Sequence, residues 1–142
     1  MPRLEKLSYF VNSQVGIIPV VANTGAIAAE AVDLSGGFDR CQHVVILGAF
    51  GTAAEFDMSI TESETSGGTY VVITDSGVTQ VTASAANKMF IVDVPVNNAK
   101  PYQKILSTAF TSTVGVAAVA GGYNGTRRLG TVLPDIEEEI KV

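Results

Sequence analysis

From Glu55 to Thr61 the chain alternates without a slip: Phe56, Met58 and Ile60 on one side, Glu55, Asp57, Ser59 and Thr61 on the other. Successive side chains of a strand point to opposite faces, so this stretch reads as a half-buried strand with a wet outer side. It then softens into Ser and Thr with a Gly67-Gly68 pair, a loop, before Tyr70 opens the next apolar run. A sided strand followed by a polar loop sets the pattern for the whole chain.

Residues 1–13 read as an amino-terminal arm, too apolar at Leu4, Leu7 and Tyr9–Val11 to be a free tail. Gln14–Ala22 is strand-like, and Pro19, with no N–H to donate, makes it an edge or bulged strand. Ala26–Leu34 is Ala-rich, yet it alternates and is short between turn signals, so it reads as strand. Cys41–Phe50 is a continuous apolar run, suited to a central strand buried on both faces. Tyr70–Thr74 and Val78–Ala83 flank Asp75-Ser76-Gly77 and read as a hairpin. Lys88–Val94, Tyr102–Ser112 and Val114–Ala120 complete the strands, the last made of small residues and closed by Gly121-Gly122. Residues 123–142 show no strand pattern and read as a carboxy-terminal arm, with Pro134, Asp135 and Glu137 suited to the start of a short helix.

About eight or nine short strands separated by turns, with no long helix, predict an all-β chain: an antiparallel β-sandwich or barrel, jelly-roll or Ig-like. The core spans 14–122, with an arm at each end. At 142 residues, one domain can bury such a core unaided. The single cysteine excludes an intramolecular disulfide, as in a protein assembled in a reducing cytoplasm. The charged start MPRLEKLSYF does not read as a secretion signal, and no apolar run approaches the roughly 18 residues of a membrane helix.

A net charge of −5 argues against a nucleic-acid partner, because broad binding rests on Lys and Arg neutralising phosphates. Lys88, Lys100 and Lys104, with Phe90 and Tyr102 nearby, are too sparse to make such a surface. Only 16% of residues are charged, which points to a surface partly covered by a partner or by further copies.

Catalytic equipment is thin. Cys41 and His43 share a strand face, as a Cys–His nucleophile pair or half of a metal site would. They are the chain's sole Cys and sole His, so a zinc site would lack its usual third and fourth ligands, and a triad has no orienting third group. Glu55, Asp57, Glu62 and Glu64 cluster without the spacing of a calcium loop and read as a solvated face. The Gly121–Arg128 stretch is Gly-rich but lacks the Lys of a phosphate loop, and no GxSxG occurs. No catalytic, metal-binding or cofactor-binding residue is assigned, and the chain reads as non-enzymatic.

The run NTGAIAAEAVDLSGGFDRCQHVVILGAFGTAAEFDMSITES, residues 23–63, resembles small structural proteins of tailed bacteriophages encoded near the major capsid gene. The shared outline is a "TG…VDL.G" strand and turn, a "VVILGA" central strand, then "F.(M/V).I.ES" before a Gly-bearing loop. It continues through the strand after Tyr102 to Gly121-Gly122-Tyr123. Two departures stand out: Glu64-Thr-Ser-Gly-Gly replaces a more acidic loop, and the strand after Tyr102 is rich in Thr and Ser.

The resemblance implies a capsid decoration (cementing) protein, resident in the virion after assembly in the host cytoplasm. Such proteins sit on the outside of the head and bridge neighbouring capsomers. The implied partners are the major capsid protein and further copies of the chain, commonly as a homotrimer, with no nucleic acid and no membrane. The arm residues expected to contact them are Leu4, Leu7, Tyr9, Phe10, Arg127, Arg128, Leu129, Leu133 and Ile136. The alternatives are another virion component (neck, tail or head-fibre base) and a β-sandwich module for carbohydrate or a host surface.

Overall fold

A computed structural model describes residues 11–124 and 136–141 of the chain. Its strands are β1 (Val11–Ala22), β2 (Gly25–Ile27), β3 (Val32–Asp33), β4 (Arg40–Phe50), β5 (Glu55–Ser63), β6 (Val71–Val72), β7 (Val78–Val81), β8 (Met89–Pro95), β9 (Tyr102–Phe110), β10 (Val114–Tyr123) and β11 (Ile136–Lys141). A single 3₁₀ turn, Ala83–Ala85, is the one helical piece among the described residues.

Two sheets form. Sheet A has the order β1-β10-β4-β8-β11; sheet B has β2-β9-β5-β6, with β3 also on β9 and β7 also on β5. Taking β2 with β3 and β6 with β7 as interrupted strands leaves eight positions before β11. Their antiparallel pairs are nested: β1 with β10, β2 and β3 with β9, β4 with β8, β5 with β6 and β7. The chain is one long hairpin rolled so that β10 also meets β4 and β9 also meets β5. This is jelly-roll wiring, which decides between the two sandwich types that the strand pattern permits.

The core lies between the sheets. Sheet A supplies Ile17, Cys41, Val45, Leu47, Phe90, Val92 and Val94; sheet B supplies Ile27, Val32, Phe56, Met58, Ile60 and Ile105. Full burial of a side chain such as Phe56, Leu47 or Ile60 contributes about 1.5–3 kcal/mol. The alternation in β5 holds: Phe56, Met58 and Ile60 face inward and are buried. The small-residue strand β10 sits inside sheet A, where Gly115 and Gly48 let β10 and β4 approach closely; a Cβ on Gly115 would lie 3.3 Å from the Gly48 Cα.

Several local expectations change. Residues 70–83 do not form a hairpin. β6 pairs with Thr61 and Glu62, and β7 with Phe56 and Met58, so both lie in sequence along β5. Between them the Ser76 hydroxyl stands in for a strand partner: it accepts from Ile60 N at 3.0 Å and lies 3.2 Å from Ile60 O. The strand expected over Ala26–Leu34 breaks into β2 and β3, with Val32 and Leu34 still facing the core. Nor is the tail free of strand. Instead of a helix start that includes Glu137, Ile136–Lys141 forms β11, parallel to β8. Sheet A also extends past the expected limits of the core, beginning at Val11 and carrying β10 to Tyr123.

β1 is both an edge strand and a bulged one, as Pro19 requires. Its register against β10 shifts between Val11 and Ser13, Val15 and Ile17, and Ile17 and Val20. Each shift adds a residue on β1, bending the edge and interrupting its ladder.

Candidate functional site

Cys41 and His43 do share a side of β4, and that side is the core. His43 is fully buried, and its Nε2 lies 2.8 Å from Gln103 Oε1 on the opposite sheet. Gln103 Nε2 in turn donates to Pro95 O at 3.1 Å. The amide oxygen accepts, so Nε2 carries the proton and Nδ1 keeps a lone pair, which has no partner. Burial lowers the His43 pKa to about 4, against smaller opposing effects of Gln103 and Asp93. Burial and the Asp93 charge push the Cys41 thiol up. A buried thiol held protonated is a poor nucleophile. The pair is a polar cross-link between two sheets with a small apolar neighbour.

The acidic residues do not converge either. On β5, Glu55 and Asp57 line the outer side of sheet B, and Asp57 Oδ1 accepts from Gln80 N at 2.6 Å. That bond holds Gln80 at a φ of 55°, where a side-chain-bearing residue needs support. Glu62 lies 3.8 Å from Lys100 Nζ. Among the described residues no three His, Cys, Asp or Glu side chains are grouped to hold a metal ion. No described helix is long and apolar enough to cross a membrane.

One cluster escapes sequence reading. Asp93 sits within the apolar strand Met89–Pro95 and is buried with Tyr123. Arg40 Nε donates to Asp93 Oδ1 at 2.8 Å, and Arg40 Nη2 reaches Asp93 O at 3.1 Å. The Tyr123 hydroxyl donates to Asp93 Oδ2. Burial first, and Asp93 second, push the Tyr123 pKa up to about 12. These three groups tie β4, β8 and β10 together at one end of sheet A. The available signal was an aspartate inside MFIVDV, where a charge must find a partner.

What the molecule offers a partner is apolar surface. On the outer side of sheet A, the register aligns Val15, Val119, Val44 and Ile91 across four strands, and beside them Ala117, Ile46 and Met89. Exposure is greatest toward β1: Val15 is 49% exposed, Ile46 45% and Val119 41%, whereas Ile91 is buried. Around the edge, Ile18 and Val21 are 61% and 70% exposed. They border a groove of about 530 Å³ between the end of β1 and the residues of β2 and just beyond. A second cavity, of about 410 Å³, is lined chiefly by consecutive residues 77–82.

Of the arm residues expected to contact partners, Leu4, Leu7, Tyr9, Phe10, Arg127, Arg128, Leu129 and Leu133 lie outside the described residues. Ile136 opens β11 opposite Met89, within the sheet.

No protein-family model matches the chain, and a search of curated proteins gives no match. Among solved structures, similarity is found to the CBM22-1–GH10 modules of the Clostridium thermocellum endo-1,4-β-D-xylanase 10B complexed with xylohexaose. The match is 9% identical with a TM-score of 0.43 and covers 85% of this chain but 26% of the other. A likeness of that size carries no functional argument.

Proposed function

We propose that the chain is a non-enzymatic virion structural protein of the capsid-decoration kind, binding the outer surface of a phage head and further copies of itself. The observation that carries this reading is the apolar band on the outer side of sheet A, with Val15, Ile46 and Val119 each more than two-fifths exposed. Water-facing apolar side chains in one contiguous band favour association, because covering them removes apolar area from water. The jelly-roll wiring is one that capsid proteins use, though lectins and cupins use it too, so the surface has to carry the weight. The sequence resemblance points to the head exterior and supplies the partner.

The test is addition of the purified protein to expanded empty heads built from the capsid protein encoded beside it. Binding that raises the thermal stability of the heads is expected. The double variant Ile46→Asp, Val119→Asp should lose binding while the chain stays folded by circular dichroism, its own stability falling by about 1 kcal/mol per site at most from the loss of strand-favouring side chains. Heads that take up none of the unmodified protein refute the proposal.

A glycan- or host-surface-binding module is the second reading. Its support is an aromatic patch on the outer side of sheet B, where Lys104 Nζ stands 5.1 Å from the Tyr70 ring centre and Tyr102 lies two residues before Lys104 on the same face. Binding on a glycan array that is abolished by Tyr102→Ala would favour it.

A further inference from the structure

The groove beside β1 combines features that restrict what can fill it. Its long walls are mainly apolar, from Ile18, Val20 and Val21 on one side to Ala26 and Ala28 on the other, with Asn23 and Thr24 closing one end and Glu30 at the margin. Edge strands ordinarily invite another strand to add to them. This one is guarded. Pro19 has no N–H, and the strand is bulged on both sides of Ile17. Gly16 O already accepts from Glu30 N at 2.7 Å. The Gln14 side chain occupies both backbone groups of Asp33, at 2.8 and 2.9 Å. An occupant must therefore be held by its side chains rather than by a backbone ladder.

The chain carries a segment of matching chemistry. Residues 1–10, outside the described residues, hold Leu4, Leu7, Tyr9 and Phe10, with Arg3 and Lys6 to face Glu30. Reach decides which copy supplies them. A fully extended chain covers at most about 3.6 Å per residue, so Leu4 lies within about 25 Å of Val11 and Leu7 within about 14 Å. Val21 is ten strand residues from Val11, roughly 30 Å away even after allowing for bulges. The arm therefore cannot set Leu7, Tyr9 or Phe10 against Val20 and Val21 of its own chain, the end of the groove farthest from Val11.

We infer that the groove between β1 and β2 receives the apolar amino-terminal arm of a second copy. This inference rests on the self-association in the proposed function and names its site. The contact joins different patches on the two copies, so it is head-to-tail and closes into a ring where the rotation permits.

Cross-linking tests it on full-length protein. One preparation carries Leu7→Cys and another Val20→Cys, and they are mixed under mild oxidation; buried Cys41 is common to both. A disulfide-linked dimer that requires both preparations is expected. Leu7→Cys mixed with Val72→Cys, an exposed position on sheet B, should give none. A chain bearing both Leu7→Cys and Val20→Cys should link between chains. A closed monomer from that chain, or no mixed dimer at the highest soluble concentration, overturns the inference. Because Val20 is exposed, circular dichroism of each variant should match the unmodified chain; if a cysteine variant fails to fold, Ile18→Asp serves instead, and unchanged oligomer size in that variant overturns the inference. Head binding without cross-linking would leave the decoration reading standing and remove this one; cross-linking without head binding would do the reverse.

Discussion

His43 makes stability depend on acid, and the size of the effect follows from its burial. Unfolded, its imidazole titrates near its ordinary value of 6.5; folded, near 4. The folded-state pKa is the lower one, so the unfolded chain binds the proton first as pH falls. The stabilising contribution is complete above pH 6.5, is lost progressively between 6.5 and 4, and changes no further below that. The difference between those two values corresponds to about 3 kcal/mol in full, most of it already lost by pH 4.5. That is a large part of the total stability of a single domain. The geometric cause is plain: a proton on Nδ1 would meet no acceptor.

The assay is urea unfolding followed by far-ultraviolet circular dichroism at pH 7.5 and 4.5, since the chain has no Trp. Carboxylates titrate over the same range, so the informative quantity is a comparison with His43→Gln, which keeps a polar group facing Gln103 and has no charge to gain. The unmodified protein should lose roughly 2–3 kcal/mol more than the variant between the two pH values. Equal losses in both proteins would refute the assignment of a buried neutral imidazole.

Two further substitutions test the packing and the buried charges. Gly122→Ala places a Cβ 2.5 Å from Phe38 Cγ and 3.0 Å from Leu34 Cδ2, so it should destabilise by about 1–3 kcal/mol; an unchanged urea midpoint would contradict the close packing. Asp93→Ala strips Arg40 and the buried Tyr123 hydroxyl of their shared carboxylate and should cost about 3–5 kcal/mol, read from the same transition; a loss below about 1 kcal/mol would mean that the cluster does not hold β4, β8 and β10 together.

Local pattern alone determined a good deal of this protein. Alternation placed Phe56, Met58 and Ile60 in the core and Glu55 and Asp57 outside, because a strand has two faces and only one of them can be dry here. Pro19 marked β1 as an edge, because a missing N–H is tolerated there and not within a ladder. The spacing of Cys41 and His43 put them on a common face, but not on the core-facing side that removes them from chemistry.

Only the tertiary structure decided which strand lies beside which. β1 finds β10 about a hundred residues away, and no short window of sequence records a partner at that distance. The same limit explains the failed hairpin: Tyr70–Thr74 and Val78–Ala83 have the right residues for pairing with each other, yet β5 offers both a longer, core-facing neighbour. It explains β11, whose Ile-Glu-Glu-Glu-Ile-Lys composition is poor strand material and becomes strand through the open edge of β8. It also explains the meeting of Arg40, Asp93 and Tyr123, drawn from three strands that are neighbours only once the long hairpin has rolled up. The apolar band belongs to the same class. Val15, Ile46 and Val119 look like core residues one at a time, and their exposure arises because the roll turns that side of sheet A away from sheet B.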